Sequence, residues 1–170
     1  MLHELAHSLV AKSRGMKVGS ITLFLFGGVS NLEEEPEKPK TEFFMAIIGP
    51  LTSLVLGGIF WGLAYLLAGT PVSFIDLIAS NKLNSPLAII VGYLGWINIT
   101  LAIFNMIPGF PLDGGRVLRS IIWSITGNIS KATNAAAIVG RTFGWLFIFF
   151  GIFWIFYSGD WFGGIWIAFI

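Results

Sequence analysis

Residues 43–68, 86–107 and 134–157 are apolar with few interruptions, and the polar positions collect between them. A helix needs about 20 apolar residues to cross the hydrocarbon core, so each stretch is predicted to be a membrane span. Residues 161–170 read as the start of a further span. The first 14 residues carry Leu2, Leu5, Leu9 and Val10 at helical spacing but are too short to cross. Lys12, Arg14 and Lys17, with Gly15 among them, close this half-helix as a chain leaving the membrane. Ile21 to Phe26 is also too short, and its β-branched and aromatic residues, closed by Gly27 and Gly28, predict a strand and a turn, within a hairpin over 18–32. Unpaired strand backbone cannot face lipid. The segment is therefore either a re-entrant hairpin whose edge accepts an extended peptide or an interfacial loop. Residues 33–40 form a charged, solvated loop, 69–85 a short polar connection and 117–125 a short helix. The expected fold is an all-α polytopic membrane protein. It is a transmembrane helix bundle with a small membrane-associated β-hairpin, in one domain over residues 1–170, truncated at both ends.

Composition strengthens this picture. The chain is 55% hydrophobic and 11% charged, where a soluble domain has about 25% charged residues. Its mean hydropathy is +0.82. Among its 21 glycines, Gly57, Gly58 and Gly62 lie in the first span, where they either permit close helix contact or face lipid. With no cysteine, disulfides and thiolate metal ligands are excluded. A net charge of +1 with no basic cluster gives no sign of a nucleic-acid partner. Alternating the spans puts Lys12, Arg14, Lys17, Lys38, Lys40, Arg116, Arg119, Lys131 and Arg141 on one side and Lys82 on the other. The positive-inside rule makes the crowded side cytoplasmic.

The candidate chemistry starts at residue 3. His3, Glu4 and His7 form H-E-x-x-H, and the two histidines are the only ones in the chain. Positions i and i+4 share a helix face, so both imidazoles can reach one metal, with Glu4 beside its open position as a base for water. Zinc suits such a set. Ionisable groups in an apolar span are functional by default, although a short motif of this kind also arises by chance on surface helices. A third ligand is needed. Asp113, in the run Asn105 to Arg116 broken by Pro108, Gly109, Pro111, Gly114 and Gly115, would alone be a turn residue. Beside two membrane histidines it becomes the third-ligand candidate. Both halves of that site fall toward the cytoplasmic side. Asn98, Thr100 and Asn105 are polar groups in the second span that need partners inside the bundle. Glu42, Asp76 and Asp160 fall in loops or at span ends.

Together these residues resemble the site-2 protease family of intramembrane zinc metalloproteases. The likeness is carried by H-E-L-A-H, by N-M-I-P-G-F-P-L-D-G-G-R two spans later, by the G-G-V of the hairpin and by the A-I-I-G-P that starts a span. It implies a compact, PDZ-less member, of a type that often carries C-terminal CBS domains. It also implies one zinc per chain on His3, His7 and Asp113, with Glu4 as the catalytic base. By the same likeness Asn105 helps hold substrate or the developing oxyanion, against the alternative that it caps the helix end before Pro108. Gly27 and Gly28 would line the substrate path. The implied activity is hydrolysis of peptide bonds in single-span membrane proteins near the cytoplasmic face of a cell membrane, after the substrate helix unwinds. A zinc transporter and a catalytically silent membrane scaffold are the rival readings. The middle spans offer no His, Asp or Glu ladder for a transport path, and an intact Glu4 argues against silence.

Overall fold

The computed structural model describes residues 1–16, 18–24, 27–32, 36–79 and 85–169. Lys17, Leu25, Phe26, Glu33 to Glu35, Lys82 and Ile170, used in the reading above, lie outside the described residues. Contacts divide the chain into two compact units, Met1–Met106 and Ile107–Ile170.

The first unit opens with α1 (Leu2–Ser13). Its buried residues, His3, His7, Ser8 and Ala11, share one face, while Leu2, Leu5 and Leu9 point outward. The helix ends because Gly15 adopts φ 79°, a left-handed geometry open to glycine at little cost. The Met16 N–H then reaches the Ala11 carbonyl and the Gly15 N–H reaches that of Lys12, which satisfies the last carbonyls. Next, β1 (Val18–Phe24) pairs antiparallel with β2 (Gly27–Leu32). Leu23 stands opposite Gly28 and Phe24 opposite Gly27, with an irregularity between Val18 and Ile21. Gly27 and Gly28 are thus in a paired strand, where the sequence pattern read them as the turn. A turn pattern and a small-residue strand start look alike in sequence, and pairing across the ladder separates them.

Helix α2 (Pro39–Ala68) starts on Pro39, whose missing N–H costs nothing at the first helical position. It therefore begins before the apolar run does. Its buried residues, Glu42, Met45, Ala46, Gly49, Pro50, Ser53, Gly57 and Ala64, recur at three- and four-residue spacing. The lower part of this stripe meets α1 and the upper part meets α4 (Pro86–Asn105). The α2–α4 approach is set by Gly57 and Gly95. A Cβ on either would come within 3.1 Å of the other's carbonyl oxygen. Gly58 and Gly62 have open space around them, so of Gly57, Gly58 and Gly62 only Gly57 makes a close contact. Between these helices lies α3 (Phe74–Ala79), whose Leu77 joins Ala64 and Val72 in a small core. Asp76 and Ser73 cap α3 reciprocally: the Ser73 N–H donates to Asp76 Oδ2 at 2.9 Å and the Asp76 N–H to Ser73 Oγ at 3.2 Å.

The second unit holds α5 (Asp113–Thr126), α6 (Ile129–Ser158) and α7 (Trp161–Phe169). Asn128 caps α6 by accepting from the Lys131 N–H at 3.0 Å. Asp160 starts α7 and accepts from the Gly163 N–H at 3.0 Å. Asp76 and Asp160 thus serve as helix caps.

Among the described residues, α2, α4 and α6 are long and apolar enough to cross a membrane. Their outward residues are apolar too, with Leu66 at 74% exposure and Phe156 at 86%. That pattern is unfavourable against water and suits lipid. The chain is a multi-pass membrane protein.

Candidate metal centre

Helix α1 brings His3 and His7 onto its buried face, each 6% exposed. Their rings are edge to face, with centroids 4.9 Å apart. Each ring is held from α2 through Nδ1. His3 Nδ1 lies 2.9 Å from Ser53 Oγ, and His7 Nδ1 donates to the Met45 carbonyl at 2.5 Å. A carbonyl only accepts, so His7 carries its proton on Nδ1 and presents the lone pair of Nε2. The Ser53 hydroxyl allows the same tautomer at His3.

Gly49 shows where the two Nε2 atoms go. A Cβ built on Gly49 would lie within 2.6 Å of both of them. Two imidazole nitrogens thus converge over the backbone of α2 in space that only a glycine leaves open. This donor set fits a metal that accepts imidazole nitrogen, zinc above all. Anchoring Nδ1 on a neighbouring helix is the arrangement expected of metal-bound histidines.

Glu4 is half-buried on α1. It precedes His7 by three positions, which makes the two neighbours along the helix surface. Its backbone carbonyl accepts from Ser8 Oγ at 3.1 Å. Among the remaining predicted residues, Asp113 is the first residue of α5, half-buried. An acidic side chain is favoured there by the helix dipole. It is a helix-start residue rather than part of the preceding turn. Asn105 ends α4, and its Nδ2 donates to the Leu101 carbonyl at 3.0 Å. Asn98 does the same with Leu94 at 2.8 Å. Both amides therefore bond within their own helix, although a cross-helix partner was expected. Gly27 and Gly28 lie in β2. Arg119, counted above among the cations of the cytoplasmic side, is buried in α5, with its guanidinium 5.5 Å from the Phe110 ring centroid.

Gly49 was legible only in part, and Ser53 not at all. Gly49 enters the sequence reading within the A-I-I-G-P that starts a span, but nothing in composition shows that this face meets the histidines. Glu42, read above as a loop or span-end residue, lies in the first turn of α2 at 0% exposure, on the same stripe.

The Peptidase family M50 profile matches residues 1–149. The chain belongs to this family, the site-2 proteases. It is 51% identical over 149 residues to the presumptive zinc metalloprotease sll0528 of Synechocystis sp., covering 88% of this chain and 36% of that protein. It is 36% identical over 152 residues to the zinc metalloprotease MJ0392 of Methanocaldococcus jannaschii, covering 89% of this chain and 40% of the relative. The solved site-2 protease from Methanocaldococcus jannaschii superposes with a TM-score of 0.69 at 30% identity, over 99% of this chain and 69% of that one. The M50 chain thus spans 40% or less of the length of these two curated relatives.

Proposed function

We propose that this M50 chain is the catalytic core of an intramembrane zinc metalloprotease. It hydrolyses peptide bonds of single-span membrane proteins near the cytoplasmic face of a cell membrane. The observation that carries the proposal is the convergence of His3 and His7 Nε2 over Gly49, both rings anchored from α2. His3, His7 and Asp113 hold one zinc per chain. Three protein ligands leave the fourth position open, as a hydrolytic site requires. Zinc, when bound, supplies the Lewis acidity that brings water near a pKa of about 7 and polarises the scissile carbonyl.

The protein's own groups do the rest. Glu4 takes a proton from the attacking water and returns it to the leaving amine, so the proton count balances across the cleavage. The Met45 carbonyl fixes the tautomer of His7, and Ser53 allows the same one at His3, so that both lone pairs can aim at one point. A substrate helix must unwind locally, since its peptide groups are otherwise held in helical hydrogen bonds. The β1–β2 pair offers an edge to the extended segment, with Gly27 and Gly28 along the substrate path. Asn105, at the end of α4, holds substrate or the oxyanion once its bond to Leu101 is exchanged.

The test is metal analysis of the purified full chain together with a cleavage assay on a panel of single-span membrane proteins. One zinc per chain is expected. Glu4→Gln keeps the size of the side chain and should keep the zinc, while cleavage falls by at least about a hundredfold. Near-normal cleavage in that variant refutes the role of Glu4. Zinc bound without any cleavage by the unmodified protein supports the silent scaffold, and zinc crossing sealed vesicles supports the transporter.

A further inference from the structure

We propose that Gly140, in the middle of α6, is a positioning residue for Asp113. The proposal rests on the reading of Asp113 as a zinc ligand. The segment leading to Asp113 is stacked backbone on backbone. On one side, a Cβ at Gly115, in the first turn of α5, would meet the Gly109 carbonyl carbon, with Phe110 N at 2.5 Å and Gly109 O at 2.7 Å. On the other side, a Cβ at Gly140 would meet Phe110 O, with Phe110 N at 2.8 Å and the Gly109 carbonyl carbon at 3.2 Å. The peptide joining Gly109 to Phe110 is therefore clamped between α5 and α6. From there the chain has little slack. The Leu112 N–H donates to the Gly109 carbonyl at 3.0 Å, and the Gly115 N–H donates to the Leu112 carbonyl at 3.0 Å. Asp113 sits between those two bonds. Arg119 packs over the Phe110 ring and holds the same segment from further along α5. The height at which the loop rests on α6 thus sets where the Asp113 carboxylate begins.

A methyl group at residue 140 must push the peptide outward by about 1 Å to restore ordinary contact. A ligand distance tolerates about 0.2 Å. The α6 helix has no such need elsewhere nearby: Gly144, one turn on, has nothing within 4 Å.

The experiment measures zinc affinity of the full chain in detergent by chelator competition, for Gly140→Ala, Asp113→Ala, the double variant and Gly144→Ala. Helical circular dichroism checks the fold, and absorption of the cobalt-loaded protein reports ligand geometry. Gly140→Ala should weaken zinc about 10- to 100-fold and shift the cobalt bands, while Gly144→Ala changes neither. In the Asp113→Ala background, adding Gly140→Ala should cost less than about twofold, because the ligand it positions is gone. Unmodified affinity and cobalt bands in Gly140→Ala overturn the proposal, and so does an equal loss in the Asp113→Ala background. If Asp113→Ala alone leaves zinc affinity unchanged, the ligand reading fails instead. Should Gly140→Ala not fold, Gly109→Ala presses the same seam from the loop side, with Gly140 Cα at 2.5 Å and N at 2.8 Å. The same outcomes then decide.

Discussion

Gly49→Ala is the sharpest test of the imidazole pair. The substitution adds one methyl group to α2, and its position is fixed by the backbone. That methyl would stand 2.6 Å from His3 Nε2 and closer still to His7 Nε2. Ordinary carbon–nitrogen contact is at about 3.5 Å, so both rings must retreat by roughly 1 Å. Two effects of opposite sign then compete. Replacing glycine by alanine inside a helix favours the helix by about 0.5–1 kcal/mol. Overpacking a close contact costs about 1–3 kcal/mol, so the fold should lose little and can even break even. The metal site has no such compensation. Both donors move by about five times the tolerance of a zinc–nitrogen distance. We expect zinc affinity to fall by at least about a hundredfold, which is about 2.7 kcal/mol. Chelator competition on purified protein measures it, with thermal unfolding in detergent as the check on the fold. Gly58→Ala is the control, since nothing lies within 4 Å of that position. A folded Gly49→Ala variant with unmodified zinc affinity would refute the argument, because the rings could not then converge over residue 49.

Ser53→Ala removes a partner of His3 Nδ1 and loosens the hold on that ring. Zinc affinity should drop about 10- to 100-fold, and Ser53→Thr, which keeps the hydroxyl, should recover most of it. Proline at Thr22 or Leu23 tests the hairpin: each removes one backbone donor, and the N–H groups of successive strand residues point in opposite directions. One of the two should therefore reduce cleavage strongly at unchanged zinc content. Normal cleavage by both variants makes the segment an interfacial loop. Ser73→Ala breaks the reciprocal cap of α3 and should lower the unfolding temperature by a few degrees, from about 1 kcal/mol, with zinc binding unchanged.

The sequence by itself determined the membrane class. Long apolar runs can satisfy their backbone only as helices in lipid, so length and hydropathy leave few alternatives for α2, α4 and α6. It also determined the chemistry of α1, because a four-residue spacing and two imidazoles need no tertiary information to share a face. Helix limits were less legible. Pro39 starts α2 ahead of the apolar run, since helix start depends on backbone geometry rather than on hydropathy. The tertiary structure alone decided which of many glycines matter. Gly57 and Gly58 are adjacent and identical in the sequence, yet one is pressed against α4 and the other stands in open space. The same holds for Gly49, Gly109, Gly115 and Gly140, whose shared property is what stands opposite each of them. It decided, too, that Asn98 and Asn105 bond within their own helix and that Ser53 and the Met45 carbonyl hold the histidines. A residue's type states what it can bond to. Only the packing of one helix on another states which partner is within 3 Å.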